Sequence, residues 1–269
     1  MNTGPIGVFD SGIGGLSVLK ALQAEMPHEN FIYIADSGHA PYGERDTAHA
    51  LDRSRAIVRY LVSQHVKALV MACNTATAAA IHRLRAEHPA LTLIGVEPAL
   101  KPALTLSRTG RIGVMATRST LSSAKFGLLL AAHAGQAEFL VQPCDGLADA
   151  IERSAETGDM TETIALCAAY TGAMGIFGTQ PGQIDTLVLG CTHYPFASDN
   201  LHALLGPDVR LIDNGTAVAR QTWRLVQAHS FAGTAPGRVS LFTTGTPRVL
   251  QAAAQRWLDL TVPAKLLIF

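Results

Sequence analysis

Two of the four cysteines follow short apolar segments in closely similar sequence contexts. They open the segments Cys73–Thr75 and Cys191–His193, in which hydroxyl, amide or imidazole groups come directly after the thiol. The apolar segments are typical of buried parallel strands, and open α/β sheets bind ligands at the carboxyl ends of such strands. A lone cysteine is most often a small buried apolar side chain. A matched pair in repeated contexts instead favours thiol acid–base or nucleophilic chemistry.

The polar groups near these thiols suggest how a thiol could be ionised. A free thiol has a pKa of about 8.5, so it needs a partner to ionise at neutral pH, and His193 is close to Cys191 in the chain. A metal site is not expected, because no second histidine or carboxylate lies at ligand spacing nearby. Asp10 and Glu152 are candidate carboxylate neighbours, although spacing alone does not bring either of them to a thiol.

The other two cysteines, Cys144 and Cys167, are interpreted as structural. No CxxC or CxxH spacing occurs, so a structural zinc site is not expected, while a disulfide pair is the alternative for the even number of cysteines. The first residues lack a basic segment and an apolar segment, so no signal peptide is expected. We therefore expect reduced thiols and a cytoplasmic location.

Two further segments have both a structural and a functional interpretation. Asp10–Gly15 follows the first predicted strand and opens a helix, where glycines permit a phosphate cradle or simply a tight turn capped by Asp10. Without the full GxGxxG spacing, the nucleotide interpretation is weak. Pro41–Gly43 lies in a loop after the second strand; a turn explains its proline and glycine, and the role of Tyr42 stays open.

The elements that must position these residues alternate along the chain. The pattern predicts an α/β fold with mainly parallel sheets. The predicted strands are 6–9, 31–35, 68–72, 92–96, 111–116, 138–141, 186–190, 209–212 and 239–242. The predicted helices are 15–26, 47–64, 75–88, 118–133, 195–205, 216–229 and 247–257, with two more within 145–175.

Internal similarity suggests two related halves. Ile6–Ser11 is similar to Ile112–Thr117, and Leu69–Thr75 is similar to Leu187–His193, in the same order. We expect one domain over residues 1–96 plus 208–269 and a second over 97–207, with the second change at Gly206-Pro207. A length of 269 residues suits two domains.

Composition limits the classes of partner. Hydrophobic residues make up 48% of the chain and charged residues 16%, which argues against disorder. Lys plus Arg number 21, as do Asp plus Glu, so nucleic acid and anionic membrane surfaces are not expected partners. The sequence also lacks an apolar segment long enough to span a bilayer.

Four segments together resemble the glutamate racemases of the aspartate/glutamate racemase family. They are Asp10–Leu16, Pro41–Arg45, Ala72–Ala76 and Gly190–Pro195, and the similarity runs from about residue 6 to Asp213. Each motif is modest alone, but four in family order are specific. The resemblance implies two pseudo-symmetric α/β domains with the active site in the cleft between them.

The resemblance also implies a reaction and its residues. It implies cofactor-independent racemisation of L-glutamate to D-glutamate, which supplies peptidoglycan synthesis, with Cys73 and Cys191 as two acid/base thiols. Asp10 would support the first thiol, and His193, with Glu152 as a weaker candidate, the second. The substrate contacts carried over are Asp10, Ser11, Pro41, Tyr42, Gly43, Asn74, Thr75, Thr117, Thr120, Thr192 and His193. The family pattern has Ser or Pro where this chain has Asn214, so the resemblance implies no role for that segment.

Two thiols suit this reaction because a proton leaves one face of Cα and another arrives on the opposite face. The few lysines lie outside the strand-end motifs, which disfavours a pyridoxal Schiff base. Oriented donors near Ser11, Asn74, Thr75 and Thr192 would then have to stabilise the carbanion. We expect small-molecule glutamate as the partner and no cofactor or metal, and the sequence leaves a homodimer open.

Three alternatives remain at the level of sequence. A racemase of aspartate or another acidic amino acid would share the motifs, because spacing does not give side-chain length. A hydrolase using Cys191 with His193 is weakened because residues two apart on an extended segment point to opposite sides, unless the backbone turns. A non-catalytic binding protein would have no need of paired thiols. Comparing glutamate with aspartate, trapping an acyl-enzyme and measuring isotope exchange would separate them.

Overall fold

The structure, a computed structural model, describes residues 4–227 and 235–269, in which strands and helices alternate. The strands in this part of the chain are β1 (Ile6–Asp10), β2 (Phe31–Ala35), β3 (Ala68–Met71), β4 (Thr92–Gly95), β5 (Arg111–Ala116), β6 (Glu138–Pro143), β7 (Thr186–Leu189), β8 (Arg210–Ile212), β9 (Val239–Thr243) and β10 (Ala264–Leu266). The α-helices are α1 (Leu16–Glu25), α2 (Thr47–Ser63), α3 (Asn74–Glu87), α4 (Leu100–Leu106), α5 (Arg118–Leu121), α6 (Ala124–Ala131), α7 (Leu147–Thr157), α8 (Thr161–Met174), α9 (Ser198–Leu205), α10 (Gly215–Val226) and α11 (Pro247–Leu258).

The strands form two sheets whose pairings are parallel. The six-stranded sheet has the order β10-β9-β2-β1-β3-β4, and the four-stranded sheet has the order β6-β5-β7-β8. The α/β fold class expected from the sequence is thus confirmed. None of the helices in the described ranges is long and apolar enough to cross a membrane.

The two sheets share a topology that explains the internal similarity. In the six-stranded sheet β1 lies between β2 and β3, followed by β4; in the four-stranded sheet β5 lies between β6 and β7, followed by β8. The similar segments therefore occupy equivalent strands, β1 with β5 and β3 with β7. The loops that carry the two thiols consequently leave equivalent positions in the two sheets.

Burial on both faces explains the apolar runs of the central strands. Each residue of β1, β3 and β7 is buried. Helices α1, α10 and α11 contribute apolar side chains to one face of the six-stranded sheet, and α2 and α3 to the other. Helices α7, α8 and α9 cover one face of the four-stranded sheet, while α4 and α6 cover its opposite face.

The second sheet extends past the expected change at Gly206-Pro207. Strand β8 follows that point but pairs with β7 in the register Thr186 with Arg210. Only with α10, which packs on α1, does the chain return to the six-stranded sheet. The chain returns to the six-stranded sheet only after the pairing of β8 with β7 ends, and the Gly-Pro turn in the sequence does not indicate that point.

Several predicted helices differ from the observed ones at their ends. The single helix predicted over 118–133 is wrong, because Thr117 and Ser123 each accept a backbone N–H and cap two separate helices, α5 and α6. The helix predicted over 195–205 starts with a 3₁₀ turn, Tyr194–Ala197, before α9. The helix predicted over 216–229 ends as an α-helix at Val226, and residues 228–229 lie outside the described residues.

Two elements were not expected from the sequence. Helix α4 contains Pro102, which reads as a break but lies in the first turn, where its missing N–H has no helical partner to lose. Strand β10 has only three residues and pairs in parallel with β9 at the sheet edge. Short edge strands carry little periodicity, so the pattern did not reveal it.

Candidate active site

A cavity of about 230 Å³ lies at the carboxyl ends of both sheets and is lined by residues from each. The predicted site residues on its wall are Ser11, Pro41, Tyr42, Gly43, Cys73, Asn74, Thr75, Thr117, Glu152, Cys191, Thr192 and His193. Further lining residues, which the sequence did not indicate, include Ser37, Glu44, Cys144, Asp145 and Asp149. Both cysteines singled out at strand ends therefore face one cavity.

Two predicted substrate contacts lie behind the wall rather than on it. Asp10 is fully buried, and its carboxylate accepts hydrogen bonds from the backbone N–H of Gly15 at 2.5 Å and the hydroxyl of Thr192 at 3.1 Å. Thr120, 2% exposed, accepts a hydrogen bond from the hydroxyl of Thr117 at 2.9 Å. Both residues thus position groups that do line the cavity.

Cys73 lies at the start of α3, with its sulfur held by neighbouring groups. Its Sγ accepts from the backbone N–H of Ala76 at 3.4 Å and donates to the Ser11 hydroxyl at 3.6 Å. That hydroxyl in turn lies 3.4 Å from Oδ1 of Asp10. Burial, and next the Asp10 charge, raise the pKa of the Cys73 thiol well above its ordinary value. Asp10 therefore favours the protonated form of Cys73.

Cys191 has a different environment, because the chain turns at the end of β7. The turn brings Nδ1 of His193 to 3.7 Å from the Cys191 sulfur. The two side chains therefore do not point to opposite sides, as they would on an extended segment. The other ring nitrogen, Nε2, lies 2.7 Å from Oε2 of Glu152. Sequence spacing gave no reason to place Glu152 here; α7 carries it in from 41 residues away.

The imidazole and carboxylate form a buried ion pair. Burial alone would lower the pKa of His193, but its hydrogen bonds with Cys191 and Glu152 raise that pKa well above its ordinary value. Burial likewise opposes the charged form of Glu152. Its hydrogen bonds, of which that from His193 has the largest effect, nevertheless hold the pKa of this carboxyl below its ordinary value. These contacts favour the charged imidazolium form of His193 beside the Cys191 sulfur.

Glu152 also connects the two sheets. Its carboxylate accepts from the Ser37 hydroxyl at 2.8 Å and from the backbone N–H of Ile13 at 3.2 Å, both in loops of the six-stranded sheet. The Ser17 hydroxyl of α1 donates to the backbone oxygen of Thr192 at 2.8 Å. These bonds hold the Cys191 turn against the loop that follows β1.

The glycine-rich loop after β1 makes room for these catalytic candidates. A Cβ at Gly12 would meet Oε2 of Glu152 at 2.1 Å, and a Cβ at Gly14 would meet Nδ1 of His193 at 2.3 Å. At Gly15 the same atom would meet the Cβ of Asp10 at 2.7 Å. Close packing explains the motif, and of the two interpretations from sequence the structure favours the tight turn.

Replacing Gly14 with alanine is expected to lower the turnover number by at least about tenfold, because the new methyl must displace the His193 ring. The thermal unfolding midpoint and turnover should be measured together. Gly172→Ala in α8 is the matched control, since nothing lies within 4 Å of its added Cβ. It should keep native turnover and unfold at an equal or higher temperature. Equal turnover in both variants would contradict this role for Gly14.

A buried carboxylate anchors the loop that carries Tyr42. Asp36 accepts from both Nε and Nη2 of Arg53 at 2.9 Å, from the Tyr42 hydroxyl at 2.5 Å and from the Thr244 hydroxyl at 2.8 Å. Although burial opposes its charge, the Arg53 guanidinium keeps the pKa of Asp36 below its ordinary value. Because Asp36 engages the tyrosine hydroxyl, the loop presents backbone groups and the ring of Tyr42 to the cavity.

Three threonine hydroxyls meet where the two sheets face each other. Thr75 of α3 lies 3.1 Å from the hydroxyl of Thr117 and 3.4 Å from that of Thr120. The latter two belong to the loop after β5 and to α5. Hydroxyls donate and accept, so this cluster can turn its hydrogens toward a carboxylate.

The two remaining cysteines differ in position. Cys167 is fully buried in α8, away from the cavity lining, and burial raises its pKa to about 11. Cys144 is on the cavity wall, where the sequence had placed only a structural residue; its thiol donates to the backbone oxygen of Gln142 at 3.4 Å. Burial, followed by the neighbouring thiols, raises its pKa well above the ordinary value, so Cys144 stays protonated. All four cysteines are free.

The charge of the cavity wall limits its chemistry. Among the described lining residues none is lysine or arginine, so a carboxylate ligand must be held by N–H and O–H donors. Within residues 4–227 and 235–269, no cluster of three or more His, Cys, Asp or Glu side chains is arranged to hold a metal ion. The wall offers two thiols, one from each sheet, together with several hydrogen-bond donors.

Comparison with known proteins identifies relatives over most of the chain. The profile of the Asp/Glu/Hydantoin racemase family matches residues 15–222. The chain is 45% identical over 249 residues to the glutamate racemase of Ectopseudomonas mendocina, covering 92% of each chain. It is 47% identical over 251 residues to that of Ralstonia pickettii, covering 92% of this chain and 86% of the relative.

Solved structures share the fold. A glutamate racemase of Bacillus anthracis superposes with a TM-score of 0.87 and 29% identity, covering 100% of this chain and 99% of the other. The glutamate racemase of Francisella tularensis, solved with D-glutamate, superposes with a TM-score of 0.82 and 26% identity, covering 100% and 98%.

Proposed function

Because the chain belongs to the Asp/Glu/Hydantoin racemase family, we propose that it interconverts L- and D-glutamate with Cys73 and Cys191 as the two acid–base groups. The observation that supports this most directly is the pair of thiols on one cavity wall, each at the end of an equivalent strand. Relatives at 45% and 47% identity are glutamate racemases. We also propose that the two sheets form the cores of two domains that meet at the cavity.

The two thiols divide the reaction between the faces of Cα. One sulfur, as thiolate, removes the Cα proton, and the other, as thiol, delivers a proton to the opposite face. For the opposite enantiomer the roles exchange. The two sheets suit this division, because the segments after the equivalent strands β3 and β7 each bring one thiol to the cavity. A single base would instead have to carry its proton around the substrate.

The two thiols have different neighbours. The imidazolium of His193 is the partner that a thiolate at Cys191 needs. At Cys73, burial and the Asp10 carboxylate favour the thiol. We propose that Cys191, beside the His193 imidazole, acts as the base toward the enantiomer whose Cα hydrogen faces it, and that Cys73 then acts as the acid. Only one negative sulfur is then present at a time.

The carbanion is stabilised by donors fixed around the substrate. The N-terminus of α3 directs the N–H groups after Cys73 toward the cavity, and its positive dipole end favours a carboxylate there. The hydroxyl of Thr75 adds a neutral donor. A Schiff base with a carbonyl cofactor needs a lysine, and none of the described lining residues is one. Fixed dipoles and the His193 ring around the cavity are therefore the electrostatic source.

The test is racemisation of purified L- and D-glutamate, followed by circular dichroism, with aspartate in parallel. We expect turnover of both glutamate enantiomers without added pyridoxal phosphate or metal, and at least about tenfold slower turnover of aspartate. One methylene more or less in a binding pocket typically changes specificity by about 1–3 kcal/mol, and 1.4 kcal/mol is tenfold. Faster turnover of aspartate would make the chain an aspartate racemase of the same family.

We further propose the cellular setting that the resemblance implied. The D-glutamate formed would supply peptidoglycan synthesis, and the enzyme would act in the cytoplasm, where its four free thiols stay reduced. A homodimer is compatible with this role. Analytical ultracentrifugation of the purified protein gives its oligomeric state.

A further inference from the structure

Asn214 has a specific place in the structure. Asn214 is 5% exposed and precedes α10, but its side chain does not cap that helix. The side chain of the preceding Asp213 accepts from the backbone N–H of Gly215 at 2.8 Å. The Asn214 amide is directed elsewhere: its Nδ2 donates to Oδ1 of Asn74 at 3.4 Å, across 140 residues of sequence.

Asn74 is the residue that follows Cys73 and lines the active-site cavity. An amide presents an acceptor at one end and two donor hydrogens at the other. With Oδ1 taken by Asn214, the Nδ2 end is the free one; it is fully buried and has no hydrogen-bond partner among the described residues. A buried donor without a partner is costly, so this group is available to a ligand that accepts a hydrogen bond.

We infer that Asn214 is a positioning residue, which fixes the Asn74 amide so that its NH₂ group faces a substrate carboxylate. The inference rests on the proposed racemisation of glutamate. Were the Asn74 amide turned over, its oxygen would face the carboxylate and repel it. The Asn214 donor disfavours turning the Asn74 amide alone, because the two NH₂ groups would then face each other; that orientation requires both amides to turn together.

The test compares how strongly two substitutions at this position raise KM. Asn214→Asp keeps the shape but can only accept, so Asn74 must turn its NH₂ group toward residue 214 and its oxygen toward the substrate. Asn214→Ala removes the partner and leaves the amide free to take either orientation. We expect KM for both glutamate enantiomers to rise about tenfold in Asn214→Asp and about two- to threefold in Asn214→Ala, with kcat changed less than KM.

A merely structural role would give the opposite order. Alanine removes more packing than the isosteric aspartate, so Asn214→Ala would then be the worse variant, both in KM and in the unfolding midpoint. A direct effect of the added charge is separated by repeating Asn214→Asp in an Asn74→Ala background. Positioning predicts that the aspartate then adds no further rise in KM, whereas a direct charge effect persists there and overturns the inference.

The native protein, assayed in parallel, keeps the two proposals apart. Native racemisation with Asn214→Asp no worse than Asn214→Ala overturns the positioning role and leaves the proposed function intact. A native protein that racemises neither enantiomer overturns the function, and the inference with it. Both proposals are supported if the native protein is active and Asn214→Asp raises KM more than Asn214→Ala. Asn214→Asp must then cause no further rise in KM in the Asn74→Ala background.

Discussion

Cys73→Ser and Cys191→Ser are each expected to lower glutamate racemisation by about 10⁴-fold, in both directions. General acid–base catalysis by a placed side chain contributes about 10²–10⁴-fold, and a serine hydroxyl is far too weak an acid to replace a thiol that must exist as both base and acid. Since every turnover uses both faces of Cα, neither enantiomer escapes the loss. The measurement is the initial rate from L-glutamate and from D-glutamate, with circular dichroism spectra to confirm the fold.

Cys167→Ser is the matched control for these variants. It makes the same atomic change at a buried thiol in α8 that lies outside the cavity lining. Native turnover in this variant, beside the loss in the other two, assigns the effect to position rather than to thiol content. Near-native turnover in both Cys73→Ser and Cys191→Ser would refute the two-thiol assignment.

His193→Asn is expected to lower turnover by about 10²–10³-fold, and Glu152→Gln by about tenfold with a changed pH profile. The asparagine keeps a donor near Cys191 but no titrating charge. The glutamine keeps the shape of Glu152 but removes the carboxylate that helps hold the imidazolium. Glu156→Gln is the matched control, because it lies one turn further along α7 and pairs with the exposed Arg248.

The sign of the pH effect follows from the two pKa shifts. The pKa of His193 is raised, so the imidazolium and its ion pair with Glu152 persist to higher pH. Both are lost as pH rises through that raised value. The pKa of Glu152 is lowered, so its charge is lost only as pH falls through that lowered value. The native rate should therefore be flat around neutral pH.

Removing the Glu152 carboxylate narrows the pH range of constant rate from its alkaline side. In Glu152→Gln the pKa of His193 falls, so the alkaline limb of kcat/KM should move to lower pH while the Glu156→Gln profile stays native. The pH–rate profiles of the three proteins measure this directly. An alkaline limb that does not move would show that Glu152 does not hold the imidazolium.

Local pattern was enough to predict nine of the ten strands in the described residues, but not the contacts between the sheets. The bounds of β2 and β5 match the prediction because apolar runs bounded by turns define buried strands. Glu152 was a weak candidate from sequence, since its contact with His193 depends on where α7 packs. Ser37, which bonds the same carboxylate, gave no signal, because serines in loops are common.

The glycine-rich loop after β1 shows the same difference between what local sequence predicts and what tertiary packing decides. Sequence located the turn after β1, yet the reason for Gly12 and Gly14 is the Glu152 and His193 side chains that reach them from the other sheet. The Asp36–Arg53 pair was likewise missed, because an acidic residue after a strand and an arginine within α2 carry no local mark of their contact. Residues that act through tertiary contacts are those that spacing cannot supply.

The most direct test of the two-thiol account is racemisation in D₂O, followed by ¹H NMR and mass spectrometry at low conversion. Starting from L-glutamate, the D-glutamate formed should carry one deuterium at Cα, while the remaining L-glutamate keeps its protium. This follows because one sulfur takes the substrate proton and the other, already exchanged with solvent, delivers deuterium to the opposite face. D-glutamate that retains the substrate's own Cα hydrogen would show transfer by a single group and contradict the account.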